Sequence, residues 1–460
     1  MLEHLINSVN DEAAVIVPLR KSHLETWLAE QPSRVAQWVS GNRFKADAGR
    51  TLALPDENGR PATILLGLGE DDDLWAFAGL PSKLPQGGYR LVSGLAPEMA
   101  SRAAFGWAMG TYRFTRFKSN GGHDFPSLLW PENADRAWVE RTAAATALVR
   151  DLINTPASHM GPEELAETAR SLANRHNARC RIIQGEELLH ENWPAVHAVG
   201  RASPRAPRLI DLRWGAPEAP KVTIVGKGVC FDTGGLDLKG AASMKLMKKD
   251  MGGAAHALGL AQMIMSADLP VRLRVLIPAV ENSVSGSAFR PGDVIKTRKG
   301  MTVEIGNTDA EGRLILADAL YEADQEKPEM LLDFATLTGA ARSALGVELP
   351  AMFSNNDALA NDFLAAGERE GDPLWRMPLW RSYRRMLDSK VADINNVSDS
   401  PYAGAIVAGL FLQEFVSDET PWAHVDMMAW NTSSRPGRPD GGEAMTLRAA
   451  YSLIAGRFQK

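Results

Sequence analysis

The sequence is poor in cysteine. Cys180 and Cys230 are the only two in 460 residues, too few for a disulfide framework, and this predicts a reducing, cytoplasmic setting. Cys230 is expected to be a small buried hydrophobe rather than a nucleophile. Histidine is sparse as well, with nine residues. His159, His190, His197, His256 and His424 form no i, i+4 pair of the zinc-helix type, so each is expected to be a satisfied structural residue. No apolar run approaches the roughly 18 residues of a membrane span. The start, Met1-Leu-Glu-His-Leu-Ile-Asn7, lacks the basic and long apolar regions of a secretory signal. A net charge of −6 argues against nonspecific polyanion binding, so neither a membrane nor a nucleic acid is expected as partner. A Gly-x-Ser-x-Gly elbow and a GxxxxGK[ST] loop are both missing. The 45% hydrophobic and 23% charged residues are those of a globular protein, and the length predicts two domains.

What is present is concentrated in two stretches. The first runs from Val225 to Gly253. An apolar strand, Val222–Val225, meets a glycine-rich loop carrying Lys227, Asp232, Lys239 and Asp250, and a small-residue helix starts near Gly252. Ligands of open α/β sheets bind where strand ends meet helix starts. The second stretch, Asn307-Thr-Asp-Ala-Glu-Gly-Arg-Leu314, supplies Asp309, Glu311 and Arg313. In extended chain, Asp309 and Glu311 at i, i+2 point the same way. Four carboxylates (Asp232, Asp250, Asp309, Glu311) brought together would repel, and some would be raised in pKa. Cations remove that penalty, and oxygen donors suit Mn²⁺ and Mg²⁺ while also binding Zn²⁺. Carboxylates in this number, without a His or Cys cluster, point to a two-metal site.

These motifs resemble the leucyl aminopeptidase family of two-metal exopeptidases. Asn307 to Leu314 is its signature octapeptide, unbroken, and the Lys227–Asp232–Lys239–Asp250 spacing also matches. The resemblance covers most of Asp151 to Arg448 and is faint before about Ala100. It implies a smaller N-terminal α/β domain, macro-like, and a larger C-terminal α/β/α sandwich with a mostly parallel central sheet. It implies a metal-dependent aminopeptidase that hydrolyses the N-terminal peptide bond of peptides, assembled as a homohexamer. Two divalent ions per subunit are implied, Mn²⁺ or Zn²⁺, with Co²⁺ and Mg²⁺ as further candidates, and so is bicarbonate.

The resemblance also implies roles. Asp232 and Glu311 match bridging carboxylates, Asp250 a ligand of the metal shared with Lys227, and Asp309 a ligand of both metals or of the other. As a ligand Lys227 must be neutral; on spacing alone, a cation that merely neutralises the carboxylates is an equal reading, and the resemblance favours the ligand. A hydroxide between the metals is the implied nucleophile. Lys239 is assigned to the scissile carbonyl, where an ammonium stabilises developing charge. Arg313 is assigned to bicarbonate, which takes the proton that no His is placed to accept; the plainer alternative makes it a counter-ion of Glu311. Met247 matches a residue lining the first side-chain pocket, although ordinary core fits it equally without the family. Thr336, Leu337 and Gly339 match a substrate-binding turn whose backbone holds an extended peptide. With Lys239 and Asp309 they complete the expected substrate contacts. A Met-lined pocket predicts Leu- or Met-like first residues. Lys245, Lys248 and Lys249 fit no motif position and are expected at the solvated surface. The rival readings are a two-metal hydrolase of another bond (a phosphoester or another amide) and a non-catalytic scaffold, which would predict a damaged motif.

Along the chain, Ala13–Pro18 and Ala62–Gly67 read as buried strands, with Trp27 and Trp38 in amphipathic helical patterns and expected in the core. Ala100–Met109 reads as helix, Glu70–Asp73 as a solvated acidic turn, and Asn120–Pro126 as a loop. A long helix over Asn133–Ile153, capped by Asn133, is placed as the linker, giving domains 1–132 and 154–460. Helix is expected at Glu163–Arg175 and Gly252–Met265. Strands are expected at Cys180–Gln184, Leu209–Arg213, Val222–Val225, Val271–Val280 and Met330–Ala335, with Ala198–Pro207 as loop. This alternation predicts a largely parallel sheet covered on both faces. Pro278 is expected at the end of its strand. The segment Glu443–Arg448 departs from the family pattern before the last helix.

Overall fold

The computed structural model describes residues 1–9, 13–70, 74–119 and 124–459. Asp71–Asp73 of the acidic turn and Asn120–His123 of the expected loop lie outside the described residues. The chain packs as two units, Met1–Ala147 with Thr432–Asp440, and Leu148–Asn431 with Gly441–Lys460. Among the described residues no helix is long and apolar enough to cross a membrane.

The first unit is built on a six-stranded sheet in the order Leu5–Ile6, Ser127–Leu129, Gly88–Leu91, Ala14–Arg20, Pro61–Gly69, Thr51–Pro55. All neighbours run parallel except the last pair. The helix Pro97–Gly110 is buried along most of its length and joins Ile16, Ile64 and Leu66 in one apolar cluster. Trp27 is half-buried against a second, small cluster. Trp38 is 46% exposed rather than core; its Nε1 donates to Ala53 O at 3.1 Å. An indole at a helix surface can satisfy its one donor there and leave its ring in water.

The second unit carries a nine-stranded sheet. Its main path is Trp375–Arg376, Ala351–Ser354, Trp422–Asp426, Met330–Ala335, Lys221–Gly226, Arg272–Asn282, Arg208–Trp214, Arg179–Gln184. The central strands from Trp422–Asp426 to Arg272–Asn282 are parallel. The two strands beyond them, Arg208–Trp214 and Arg179–Gln184, each run antiparallel to their neighbours, departing from the simple alternation. Every residue of Met330–Ala335 is buried, as a strand covered on both faces must be. Val225, Leu276 and Leu331 pack in one cluster with Leu314 and Ile315 of the helix Glu311–Gln325. Gly226, one residue on from Val225 and so on the other face, lies against the helix Gly252–Ser266: an added Cβ would stand 2.7 Å from Ala254 Cα.

Two expectations fail for visible reasons. The long helix is Arg136–Asn154, and its cap is Asp135 rather than Asn133. Asp135 Oδ1 accepts from Trp138 N at 2.9 Å, while Asn133 donates to Leu95 O. Pro278 lies inside the strand Arg272–Asn282, where the neighbour changes: Leu276 pairs with Val225, and Ala279 with Gly228. On that edge no ladder hydrogen bond is required of residue 278, so proline is tolerated mid-strand. Of the segment expected as loop, Ala198–Gly200 ends the helix Pro194–Gly200.

Candidate active site

The same change of neighbour positions the first functional side chain. The strand Lys221–Gly226 stops, the strand Gly228–Asp232 continues beside Arg272–Asn282, and Lys227 occupies the break. Its backbone is satisfied there: Lys227 N donates to Phe334 O at 3.0 Å, and Ala254 N to Lys227 O at 2.9 Å. The side chain therefore leaves the sheet. Its Nζ lies 2.7 Å from Asp250 Oδ2 and 3.1 Å from Glu311 Oε1, and donates to Thr336 O at 3.2 Å. Gly312 is needed for this path, because a Cβ there would meet Lys227 Cε at 2.4 Å. Gly253 has the same role for the backbone, since its Cβ would fall 2.0 Å from Phe334 O.

The strand Gly228–Asp232 ends on the second group. Lys239 Nζ is 2.8 Å from Asp232 Oδ2 and also lies against Asp309 Oδ1. Asp232, Asp309 and Glu311 each offer a carboxylate oxygen within 4.8 Å of the others. The two chain stretches are tied together by groups of no evident chemistry. Asn282 Nδ2 donates to Asp232 Oδ1 at 2.9 Å and to Thr308 O at 3.1 Å. Asp237 Oδ2 accepts from Thr308 N at 2.7 Å, and Thr308 Oγ1 donates to Gly234 O at 2.6 Å. Asn396 Oδ1 accepts from Gly306 N at 2.8 Å, and its Nδ2 donates to Asn307 O at 2.7 Å.

A short 3₁₀ helix, Met247–Met251, presents the third group. At three residues per turn, Met247 and Asp250 stand one above the other, and both line the same cavity of about 560 Å³. Lys248 turns away and donates to Asn154 O at 2.7 Å. Lys249 does not lie at the surface: it is 2% exposed and lines the cavity, whereas Lys245 is exposed.

Burial and mutual repulsion set the electrostatics. Burial raises Glu311 well above the usual carboxylate range, and Asp232, Asp250 and Asp309 add to it; burial and Asp232 also raise Asp309. Lys227 and Lys239 are held above their ordinary values, since Asp250 and Glu311 for the one, and Asp232 and Asp309 for the other, outweigh burial. Burial pushes Lys249 down to about 7 and Arg313 down to about 10. Glu311 Oε2 is buried without a hydrogen-bond partner, and four carboxylates face two ammonium groups. A nest with surplus negative charge and an unpartnered oxygen fits divalent cations, and Asp232, Asp309 and Glu311 are close enough to share one.

Arg313, on the first turn of the helix Glu311–Gln325, lines the same cavity and donates from Nη1 to Asn396 O at 2.6 Å. Its Nε is buried and unpartnered, and it forms no ion pair with Glu311. Glu311 still favours the arginine's charge without touching it, as a counter-ion would. Thr336, Leu337 and Gly339 all line the cavity. Thr336 Oγ1 donates to Asp250 Oδ1 at 2.7 Å. The N–H groups of Leu337 and Thr338 are already engaged by Asp426, so a substrate must use other backbone groups of this turn. Among the described residues no histidine lines the cavity; His256, for example, donates from Nδ1 to Gly252 O and accepts at Nε2 from Met445 N. Cys230 is fully buried, and burial raises its thiol.

Asp237, Asn282, Asn396, Asp426 and Arg342 are not singled out by sequence reasoning, which puts Lys249 at the surface. Only their position shows their part, although Asp237 sits between two motif residues and Arg342 three residues after Gly339, on the same side of a helix.

A family model described as the cytosol aminopeptidase family, catalytic domain, matches residues 147–451, and another, the M17 aminopeptidase N-terminal domain, matches residues 15–131. A probable cytosol aminopeptidase of Syntrophotalea carbinolica is 40% identical over 454 residues, covering 91% of each chain. One from Caulobacter vibrioides is 37% identical, covering 92% of this chain and 91% of its own. Among solved structures, cytosol aminopeptidase from Coxiella burnetii superposes with a TM-score of 0.94 at 48% identity, covering 99% of this chain and 100% of its own. The bottromycin maturation enzyme BotP in complex with Mn gives 0.86 at 33% identity, covering 97% and 99%.

Proposed function

This chain belongs to the cytosol aminopeptidase family and is a leucyl aminopeptidase-type, metal-dependent hydrolase of peptides; from that premise we propose how its residues divide the work. The observation that carries the reading is the convergence of Asp232, Asp309 and Glu311 to within 4.8 Å beside the Lys227–Asp250 pair. Lys227, Asp232, Asp250, Asp309 and Glu311 are the ligand set for two divalent cations. When bound, the cations supply an activated water, a Lewis acid and a seat for the substrate's free α-amine. Manganese is the first choice, because the donors are mainly oxygens and a relative 33% identical is described with Mn; zinc is the second.

Lys239 lies beside Asp232 and Asp309, at the opposite end of the nest from Lys227 and Asp250. There its ammonium faces the scissile carbonyl and donates to the oxygen as charge develops. The α-amine then falls at the Lys227–Asp250 end. An internal peptide nitrogen would be a poor ligand there, which restricts cleavage to the N-terminus. Arg313 keeps a buried, unpartnered Nε for a small oxyanion; it would hold bicarbonate, which would supply a proton acceptor. The first side chain enters the cavity beside Met247. A homohexamer, implied by the family resemblance, belongs to the same proposal and is read by sedimentation.

The test is hydrolysis of Leu-p-nitroanilide by manganese-loaded protein before and after chelation. Loss on chelation and return with Mn²⁺ supports the reading. Full activity of chelated protein, or turnover of p-nitrophenyl phosphate in place of the anilide, would sink it.

A further inference from the structure

The cavity is lined by more than the carboxylate nest. Beside the nest, Lys249 is 2% exposed, and its Nζ forms no hydrogen bond or ion pair with any described residue. Arg342 lines the same space, and its Nη1 is buried without a partner. The carboxylates nearest to them are committed elsewhere: Asp250 to Lys227 and Thr336, and Asp426 to the backbone N–H groups of Leu337 and Thr338 and to Thr338 Oγ1. A buried lysine and a half-buried arginine with open donors, both facing the cavity, are an incomplete ion-pair network.

We propose that Lys249 and Arg342 receive the side-chain carboxylate of the substrate's first residue, so that this enzyme selects peptides beginning with glutamate or aspartate. The inference rests on the aminopeptidase reading above. Placing the α-amine at the Lys227–Asp250 end puts the first Cα there too. Lys249 directly precedes Asp250 and lines the same cavity, so the side chain leaving that Cα enters the space that the lysine faces. Arg342 adds a planar fork suited to a carboxylate. Met247 by itself would favour Leu- or Met-like residues. A neutral side chain, however, leaves these open donors unanswered when it displaces water from around them, while an acidic one answers them.

The experiment compares kcat/KM of manganese-loaded enzyme on the p-nitroanilides of Glu, Gln and Leu, and on Leu-Gly against Leu-Gly-amide. The proteins are the wild type, Lys249→Met and Arg342→Met. Glu should exceed its neutral isostere Gln by about 10- to 100-fold, mainly through KM, as a charge-assisted pair would give. The ratio should fall towards one in either variant. If Lys249→Met does not fold, Arg342→Met reads the same contrast, and calorimetric binding of glutamate against glutamine reads it without turnover. Cleavage of Leu with no preference for Glu over Gln overturns this inference and leaves the aminopeptidase reading intact. An unchanged ratio in both variants overturns it, as does a preference that follows the free C-terminal carboxylate of Leu-Gly. Absence of cleavage of every anilide and dipeptide overturns the aminopeptidase reading instead, and the glutamate–glutamine binding contrast still decides for or against this site.

Discussion

Arg274 is buried among acids much as Lys227 is, yet its surroundings are complete. Its guanidinium reaches Asp211 at 2.8 Å, Glu322 at 2.8 Å and Glu326 at 3.1 Å, and Arg213 adds bonds to Asp211 and Glu326. Burial disfavours its charge, but these partners hold Arg274 above its ordinary pKa. Around Lys227 and Lys239 the carboxylates outnumber the cations, Glu311 and Asp309 are raised, and Glu311 Oε2 has no partner. A closed network of buried charges stabilises a fold; an open one at a strand end stabilises whatever binds it.

That contrast can be broken by substitution. Glu311→Ala should lower kcat/KM on Leu-p-nitroanilide by about 10³-fold or more, the equivalent of several kcal/mol of transition-state stabilisation. The metal-free protein's melting temperature should not fall, because a raised carboxylate has been removed. A large drop in that temperature would place Glu311 in the fold-holding class. Arg274→Met should do the reverse: urea unfolding should show a loss of about 3–5 kcal/mol, while the folded fraction keeps its kcat. Lost kcat with unchanged stability would erase the distinction. Metal loading comes next in size. At a hundredfold excess over Kd, Mn²⁺ should stabilise the protein by about 2.7 kcal/mol, read as a rise in melting temperature that Glu311→Ala diminishes.

The smallest effect sharpens the comparison with a third cluster. Asp333 accepts from Trp422 Nε1 at 2.7 Å and pairs with His424 Nδ1 at 2.6 Å. Burial works against the imidazolium, but Asp333 raises His424 above its ordinary 6.5. A histidine raised in the folded state contributes stability that is fully present below about pH 6.5 and is lost as pH rises through the folded value. Denaturation midpoints should therefore decline across that interval, and Asp333→Asn should flatten the decline. An unchanged slope in Asp333→Asn would show that Asp333 does not hold the imidazolium's charge.

Much of this was legible in the chain. Met330–Ala335 is apolar at every position but Asp333, and a strand buried on both faces reads as a near-continuous apolar run. The residues Lys227, Asp232, Lys239, Asp250, Asp309, Glu311 and Arg313 all line one cavity. Strand direction was less accessible: Leu209, Ile210 and Leu212 mark Arg208–Trp214 as a strand, and only the path of the connections makes it antiparallel. Trp38 sits on a helix whose apolar stripe includes it, but the stripe is wider than the surface that covers it.

By itself, the order of residues determined that acidic and basic groups would gather at strand ends, since glycine-rich turns, apolar runs and charge spacing are local properties. Whether a given charge is answered by another is not local. Lys248 and Lys249 are neighbours of one type, and a single 3₁₀ turn sends the first to a carbonyl and the second into the cavity without a partner. Only packing among segments distant in sequence decides that, because the free energy of a buried charge depends on what surrounds it in space.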